Sequence, residues 1–342
     1  MLSSSPGTAA GRERGREGGL VEYSSDSDES PLIAPDDGVV RVRMPNEDDD
    51  AITPLPLLSP HERFPKRRLK TLLACGMLMC SAVANDIVLS FVHERVPEQP
   101  PLPDILFSIT PYYEYGLNLT EYIMLSCFAC TLLLIFFHRH RWIVLRRLAV
   151  IGCLLYAGRC VTMLATQVPV ADKNYYCSPK LGENATVWNV VWRALKVVSG
   201  LGLKLNEKHT LCGDYIYSGH TIVLVISALF INQYSPRRWR VVHVGVWLAA
   251  VAGMLLLIIS RGHYSIDVII SYFICTRLFY SYHTQAALPS LRISPNNEHR
   301  KEFWYWLFEF MEGDIHRALP RRYDCPISMA WLAALRRKTN LQ

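Results

Sequence analysis

From about residue 69 onward, long apolar stretches alternate with short polar segments. Six stretches of roughly twenty residues carry few charges, which is the length that an α-helix needs to cross a bilayer core about 30 Å thick. They cover residues 69–91, 119–137, 148–168, 215–232, 241–260 and 264–282. The strict alternation typical of membrane β-barrel strands is absent. The pattern therefore predicts an all-α membrane protein with six transmembrane helices.

The segments outside these stretches have a different composition. Residues 1–62 are rich in Ser, Gly, Pro and acidic side chains, and such a segment cannot bury enough apolar surface to order its backbone. No apolar region follows its first charges, so it does not resemble a cleavable signal peptide. We expect three parts: a disordered acidic, Ser-rich tail (1–62), a six-helix membrane domain (63–284) and a basic C-terminal tail (285–342).

Basic residues predict the orientation of the helices. They cluster before the first span, between the second and third, between the fourth and fifth, and after the sixth, as at Lys66, Arg141 and Arg237. With six spans these four segments share one side, which the positive-inside rule makes cytosolic, together with both termini. The sequons at Asn118 and Asn184 fall on the opposite side. Asn184 is the glycosylation candidate, because Asn118 lies close to the bilayer.

Cysteine usage and charge add two constraints. Of the 10 cysteines, only Cys177 and Cys212 fall in loops predicted to face the lumen or exterior. That compartment permits disulfides, so a Cys177–Cys212 bridge and two free thiols are both open. The chain is 50% hydrophobic and 19% charged, with a net charge of +6. Topology signals explain this charge better than nucleic-acid binding does, so we expect no nucleic-acid partner.

Two polar clusters stand at the starts of the fourth and sixth spans: residues 212–221 and 263–267. Ionisable side chains are costly at a bilayer boundary and often mark function there. His220 and His263 both fall on the exoplasmic side. Asp267 lies one helical turn after His263, so its carboxylate can orient that imidazole and raise its basicity.

The first of these clusters carries further candidates. Asp214 is close enough in sequence to act beside His220. Ser218 is placed to cap the fourth helix through its hydroxyl, and Gly219 allows a ligand to approach the backbone closely.

Two histidines facing a phosphodiester suit a displacement at phosphorus. One attacks or activates the attacking hydroxyl, and the other protonates the departing oxygen. Zinc is a competing interpretation, but no cysteine pattern and no His-Glu-x-x-His accompany the histidines, so we expect no metal and no cofactor. Polar groups that merely pair across helices are the plain alternative. Several ionisable groups at one membrane depth favour chemistry over that alternative.

The chain resembles the sphingomyelin synthases from about residue 66 into its C-terminal tail. The similarity is carried by residues 93–97, 101–104, 146–163, 212–221, 263–268, Arg277 and 282–284. It implies a six-helix enzyme that transfers phosphocholine from phosphatidylcholine to ceramide, giving sphingomyelin and diacylglycerol, in the Golgi or plasma membrane. It also implies kinship with lipid phosphate phosphatases, whose Ser-Gly-His and His-x-x-x-Asp elements match Ser218–His220 and His263–Asp267.

The resemblance also implies roles for these side chains. His263, oriented by Asp267, is the nucleophile that forms a phosphocholine-histidine intermediate. His220 protonates the diacylglycerol oxygen and later deprotonates the ceramide hydroxyl. A single direct displacement with His263 as general base is equally compatible with the residues.

The chain departs from the related patterns in two places. It has no Arg-Pro dipeptide of the phosphatase type, which leaves the phosphate charge to another cation. Arg159 inside the third span is the candidate, and a structural pair with Asp86 or Asp214 is the alternative. Trp188-Asn189 stands where the family often has Trp-Glu, so an acidic member of the site is missing or comes from elsewhere. The surrounding residues 187–203 have the composition of an amphipathic helix at the membrane interface.

The sequence constrains the choice of head group less than it constrains the type of reaction. A relative that makes ceramide phosphoethanolamine carries an N-terminal SAM domain, and the polar first sixty residues favour the phosphocholine enzymes instead. Choline recognition predicts an aromatic cage. The tyrosines on the exoplasmic side are Tyr112, Tyr113, Tyr115, Tyr175, Tyr176, Tyr215 and Tyr217.

Several alternatives stay open. They are a ceramide phosphoethanolamine synthase, a lipid phosphatase or phospholipase C that uses water, and a non-catalytic lipid receptor or transporter. Whether the chain forms a homo-oligomer is also open.

Overall fold

A computed structural model describes residues 64–172, 174–182, 186–199, 211–315 and 317–324. The predicted 1–62 tail and Asn184 lie outside the described residues. The helices within these ranges, numbered here in chain order, are α1 Arg68–His93, α2 Ile105–Ile109, α3 Gly116–Phe137, α4 Arg141–Ala165, α5 Val187–Ser199, α6 Gly219–Tyr234, α7 Arg240–Ile259, α8 Ser265–Ala287, α9 Pro289–Ile293 and α10 Tyr305–Glu312. The described part contains no β-strand, and its one β-bridge joins His138 to Tyr323. The all-α prediction is confirmed for these residues.

Each of the six predicted stretches coincides largely with a helix. By length and composition, four of these helices can cross a membrane: α1, α3, α4 and α7. Helix α6 is apolar but only 16 residues long. Helix α8 has 23 residues but includes Asp267, Arg277 and His283. The described helices therefore indicate a multi-pass membrane protein with at least four apolar helices of spanning length.

Helix α6 begins four residues later than the sequence pattern predicts. The Ser218 side chain accepts a hydrogen bond from the Thr221 N–H (3.3 Å), which confirms the predicted cap. Before it, Gly213 has φ +111° and Ile216 has φ +74°. A β-branched residue is strained in that region. The sequence pattern predicts that residues 215–218 are helical. In the structure they are irregular instead.

Helix α4 begins seven residues earlier than predicted, and its added residues include the buried Arg146 and Arg147. Glu312 accepts hydrogen bonds from Arg147 Nε (3.1 Å) and Nη2 (2.6 Å), and Arg146 Nη2 lies 3.7 Å from the same carboxylate. Buried charges persist when they are paired, and this carboxylate is the partner of both arginines. Glu312 belongs to residues assigned from the sequence to the C-terminal tail. Part of that tail folds against the bundle, with Trp304 and Phe308 in its core.

Helix α6 is the central element of the helical bundle. It packs against α3, α7 and α8, while α1 packs against α4. Leu224, Ala228 and Phe230 of α6 are completely buried. Because α6 is enclosed by its neighbours, its first turn is held in a fixed position beside the first turn of α8.

The four basic segments meet at one end of the bundle, here called the basic end. The Arg139 N–H donates to the Arg322 carbonyl (2.8 Å), the Arg321 guanidinium donates to the Ser235 carbonyl (3.1 Å), and Lys70 Nζ donates to Asp314 (2.8 Å). The opposite end, here called the mouth, is formed by residues 93–115, 166–182, 211–218 and 260–264 within the described ranges. Both predicted polar clusters lie at the mouth.

Candidate active site

His263 and Asp267 lie together at the start of α8. His263 Nδ1 is 3.3 Å from Asp267 Oδ2, and both side chains are buried. The same oxygen accepts a hydrogen bond from the Tyr264 N–H (3.0 Å), while Oδ1 accepts one from the Ile216 N–H (2.9 Å). The strained backbone at Ile216 thus brings its N–H to the carboxylate. Asp267 occupies Nδ1 of His263, which leaves Nε2 for chemistry.

His220 faces His263 across the site. Their ring centroids are 5.7 Å apart, with the planes at 65°. His220 is the second residue of α6, and His263 precedes α8 by two residues. The two histidines that the sequence selects are therefore adjacent because α6 and α8 begin at the same end of the bundle.

Glu121 of α3 is a site residue that the sequence analysis missed. Its side chain is buried, and its Oε1 lies 3.6 Å from His220 Nε2. It is the only charged residue in the predicted second span, residues 119–137. An acidic group at that depth is a functional signal that was available from the sequence. Each histidine thus has its own carboxylate.

Arg159 and Asp214 form an ion pair beside the first turn of α6. Of the two partners that the sequence suggested for Arg159, the ion pair is with Asp214. Arg159 Nε also donates to the Tyr217 carbonyl (3.0 Å). A Cβ atom on Gly219 would lie 2.7 Å from Arg159 Nη1, so the absent side chain makes room for the guanidinium. The Arg159 guanidinium therefore places a positive charge beside Gly219, the residue before His220. Asp214 partly balances this charge.

The predicted tyrosines do not form one cage around the histidines. Tyr215 contacts His263 edge-on, at 5.9 Å between centroids, and its hydroxyl accepts from the Ala171 N–H (3.1 Å). Tyr217 packs its ring into the apolar core. Tyr175 is largely enclosed, whereas the others are exposed at the mouth: Tyr112, Tyr113, Tyr115 and Tyr176.

Two carboxylates organise the loops of the mouth. Asp104 caps α2 and accepts from both the N–H (2.8 Å) and the hydroxyl (2.7 Å) of Ser265. Burial raises the pKa of Asp104, but the hydrogen bonds from Ser265, Leu106 and Phe107 together outweigh burial and hold the pKa below its ordinary value. Tyr112 donates to Asp172 Oδ2 (2.8 Å). Burial and this acceptor raise the pKa of Tyr112 to about 12, so it remains a neutral donor at physiological pH.

A disulfide closes the mouth beside the first polar cluster. Cys177 and Cys212 are bonded, with their Cα atoms 5.7 Å apart. The His93 ring bridges both sides of this link: Nδ1 accepts from the Cys212 N–H (2.8 Å), and Nε2 lies 2.8 Å from the Ser178 carbonyl. The bridge therefore anchors the segment that leads to Asp214 and His220.

Helix α5 borders the mouth and carries the Trp188-Asn189 pair. Arg193 of α5 pairs with Glu94 at the end of α1, and the Ser90 hydroxyl donates to the Val190 carbonyl (3.0 Å). Trp188 and Trp192 are exposed. Among the described residues, no group of three His, Cys, Asp or Glu side chains is placed to hold a metal ion.

Comparison with known proteins decides the family. Residues 211–284, which contain both histidines and Asp267, match the model described as PAP2 superfamily C-terminal. The chain is 54% identical over 310 residues to phosphatidylcholine:ceramide cholinephosphotransferase 1 of Caenorhabditis elegans, which covers 89% of this chain and 64% of that protein. Its identity to the enzyme of the same name from Rattus norvegicus is 36% over 293 residues, which covers 83% and 68% of the two chains. This chain belongs to the sphingomyelin synthase family.

This sphingomyelin synthase family member also resembles a relative with another name. It is 35% identical to the human sphingomyelin synthase-related protein 1 over 263 residues, covering 76% of this chain and 61% of that protein. Its identity to the human cholinephosphotransferase 1 is likewise 35%, over 278 residues. Overall identity to the human relatives thus does not separate the two groups. The chain spans about two thirds of the length of the first relatives, at 64% and 68%.

Proposed function

We propose that this chain is a phosphatidylcholine:ceramide cholinephosphotransferase, which makes sphingomyelin and diacylglycerol. The observation that carries the proposal is the pair of facing imidazoles, 5.7 Å apart, each with a carboxylate at its side. Lipid substrates fit a site at the end of an apolar helical bundle. The names of the relatives support the same reaction.

The mechanism assigns one role to each histidine. His263 Nε2 attacks the phosphorus of phosphatidylcholine while Asp267 holds Nδ1 and stabilises the positive ring. The bond from phosphorus to the diacylglycerol oxygen breaks, and His220 gives that oxygen its proton. The ceramide primary hydroxyl then loses its proton to His220 and attacks phosphorus, which breaks the bond to His263. Protons and bonds balance over the two steps, so no cofactor is needed.

Arg159 and Glu121 support the two steps electrostatically. Arg159 lies beside Gly219 and offers positive charge to the phosphate oxygens as charge develops on them. Glu121 stabilises the imidazolium form of His220, which exists before the proton goes to the diacylglycerol oxygen and again after the ceramide hydroxyl is deprotonated. Asp214 orients Arg159 through the ion pair.

We further propose the membrane arrangement implied by the charge distribution. All six predicted helices span the bilayer, the basic end faces the cytosol, and the mouth faces the lumen or exterior. The disulfide at the mouth supports this orientation, because oxidising compartments preserve such bonds. Residues 1–62 form a cytosolic tail, and the protein resides in the Golgi or plasma membrane. Helix α5 lies along the membrane interface, with Trp188 and Trp192 at its surface.

The reaction is tested with purified full-length protein in liposomes with fluorescent ceramide. Phosphatidylcholine and phosphatidylethanolamine are supplied separately, and wild type is compared with His263→Ala. We expect sphingomyelin from wild type with phosphatidylcholine and none from the variant. Ceramide phosphoethanolamine alone would change the donor, whereas free phosphocholine or phosphate without a sphingolipid product would indicate a hydrolase. A folded wild type that gives no product would contradict the enzyme proposal.

The covalent intermediate is tested without ceramide. Phosphatidylcholine labelled in its head group is mixed rapidly with enzyme and quenched. Double displacement gives a burst of up to one diacylglycerol per site together with an acid-labile labelled protein. His263→Asn abolishes both signals. Absence of both from an enzyme that makes sphingomyelin once ceramide is added favours direct displacement.

A further inference from the structure

A cavity of 620 Å³ opens at the mouth beside the disulfide. Asp172, Tyr175, Val170 and Cys212 contribute to its lining. None of these residues takes part in the proton transfers proposed above. The cavity is large enough for a phospholipid head group.

One tyrosine connects the cavity wall to the proposed nucleophile. Asp172 follows Ala171, whose N–H donates to the Tyr215 hydroxyl (3.1 Å). The Tyr215 ring in turn contacts the His263 ring, with 5.9 Å between centroids. The Asp172 wall of the cavity is therefore joined to His263 through Ala171 and Tyr215.

The Asp172 carboxylate is already supplied with hydrogen-bond donors. Oδ2 accepts from the Tyr112 hydroxyl (2.8 Å), and Oδ1 accepts from the Asn174 N–H (2.9 Å). One acceptor position on each oxygen is therefore taken. A quaternary ammonium donates no hydrogen bonds and needs only negative charge and aromatic surface. A primary ammonium has three N–H donors that all need acceptors.

A positive charge lies on the other side of Tyr112. The Arg261 guanidinium is 5.4 Å from the Tyr112 ring centroid and 5.8 Å from that of Phe107. Arg261 is two residues before His263. Its φ of +53° is a strained backbone conformation for a residue other than glycine. Tyr112 thus contacts a cation with its ring and a carboxylate with its hydroxyl. Such a pair of opposite charges is complementary to a head group with a phosphate and an ammonium.

We infer that Asp172, Tyr112 and Tyr175 form the subsite for a quaternary ammonium head group, with Arg261 beside its phosphate. The inference rests on the proposed function and explains selection of the donor. Tyr112 selects against a primary ammonium by occupying the carboxylate oxygen that such a group would need. Tyr175 supplies the aromatic surface of the cavity.

The test is a competition between two donors in the full-length protein. Liposomes contain phosphatidylcholine and phosphatidylethanolamine in equal amounts, with fluorescent ceramide as acceptor, and the ratio of the two sphingolipid products is measured. Because both products come from the same preparation, the fraction of folded protein cancels from the ratio. The variants are Tyr112→Phe and Asp172→Asn, and Tyr113→Phe, at an exposed neighbouring tyrosine, is the matched control.

We expect wild type and Tyr113→Phe to give mainly sphingomyelin. Tyr112→Phe frees Asp172 Oδ2 and shifts the product ratio about tenfold toward ceramide phosphoethanolamine. Asp172→Asn lowers kcat/KM for phosphatidylcholine about tenfold, through KM more than kcat, because head-group binding is lost.

Two results would overturn the subsite. One is an active Tyr112→Phe variant whose product ratio stays within twofold of wild type. The other is a wild type that uses phosphatidylethanolamine better than phosphatidylcholine. If wild type makes no phosphosphingolipid from either donor, the proposed function itself fails. If it makes sphingomyelin and the Tyr112→Phe ratio does not move, only the subsite fails.

Discussion

Glu121 Oε1 lies 3.6 Å from His220 Nε2, although the two residues belong to different helices, α3 and α6. The second histidine, His263, has a comparable arrangement with Asp267, four residues later in the chain. The site therefore contains two imidazole–carboxylate pairs that face each other. Such symmetry suits a reaction in which one ring forms and breaks the bond to phosphorus and the other ring donates and accepts the proton.

Replacing Glu121 with Gln tests the first of these pairs. The amide keeps the shape but removes the charge that stabilises protonated His220. We expect kcat for sphingomyelin formation to fall by about 10²-fold, the lower range for loss of acid–base catalysis. Glu114→Gln, at an exposed acidic residue of the same end, is the control and should resemble wild type.

A double variant separates this role from a general structural one. If Glu121 acts through His220, adding Glu121→Gln to His220→Ala causes little further loss, because residues that act as a unit are not additive. Full additivity of the two losses would argue against the pairing. So would an activity of Glu121→Gln within twofold of wild type.

Gly219→Ala tests the position of Arg159. The new Cβ would lie 2.7 Å from Arg159 Nη1, so the guanidinium must move away from the Tyr217 carbonyl. Misplacement of a catalytic group by about 1 Å can cost roughly 10²-fold, and we expect kcat/KM to fall by at least tenfold. The melting temperature in detergent should stay near that of wild type.

Gly245→Ala is the matched control for this substitution. A Cβ there meets no atom within 4 Å. In a helix interior Ala is favoured over Gly by about 0.5–1 kcal/mol, so the control should be active and at least as stable as wild type. Equal activities of the two glycine variants would remove Arg159 from the proposed mechanism.

The Cys177–Cys212 bridge should contribute strongly to stability. The two cysteines are 35 positions apart in sequence. By chain-entropy arguments a loop of that length is worth about 4 kcal/mol. We therefore expect Cys177→Ser to lower the melting temperature and to abolish the effect of a reducing agent on it. Cys80→Ser, at an exposed free cysteine, should behave like wild type, including its sensitivity to reduction.

Glu312 is expected to hold the C-terminal segment on the bundle. It is the carboxylate that pairs with the buried Arg146 and Arg147. Removing one partner of a buried pair leaves uncompensated charge and costs about 3–5 kcal/mol. We expect Glu312→Gln to lower the free energy of unfolding by that amount, measured by denaturant titration in detergent. Glu309→Gln, on the exposed side of α10, should have little effect.

Glu312 should also make the stability of the protein depend on pH. Burial raises the pKa of Glu312, but Arg147 outweighs it, and the net pKa lies below its ordinary value of 4.5. Because the pKa is lower in the folded state, the stabilisation is complete above the pKa of the unfolded state. It is lost as the pH falls through the pKa of the folded state. The stability difference between wild type and Glu312→Gln should therefore be constant above about pH 5.5 and shrink below pH 4.5. A difference that grows on acidification would contradict this assignment.

The sequence by itself determined roughly where the six long helices lie, and it pointed to the three principal candidate residues of the site. Hydropathy is a local property, and a run of about twenty apolar residues has few alternatives to a helix in a bilayer. His220, His263 and Asp267 were visible because ionisable residues are rare at the starts of such runs. The cap at Ser218 was likewise visible, since it depends only on residues three positions apart.

Tertiary structure alone decided the partners of these residues. Glu121 was recognisable as a buried charge, but its proximity to His220 depends on how α3 packs against α6. Arg147, near the start of α4, pairs with Glu312 far along the chain, and the Ile216 N–H in the irregular backbone before α6 donates to Asp267. Contacts between residues distant in sequence leave no periodic signal. The chain therefore specifies its helices locally, whereas packing between helices assembles the site.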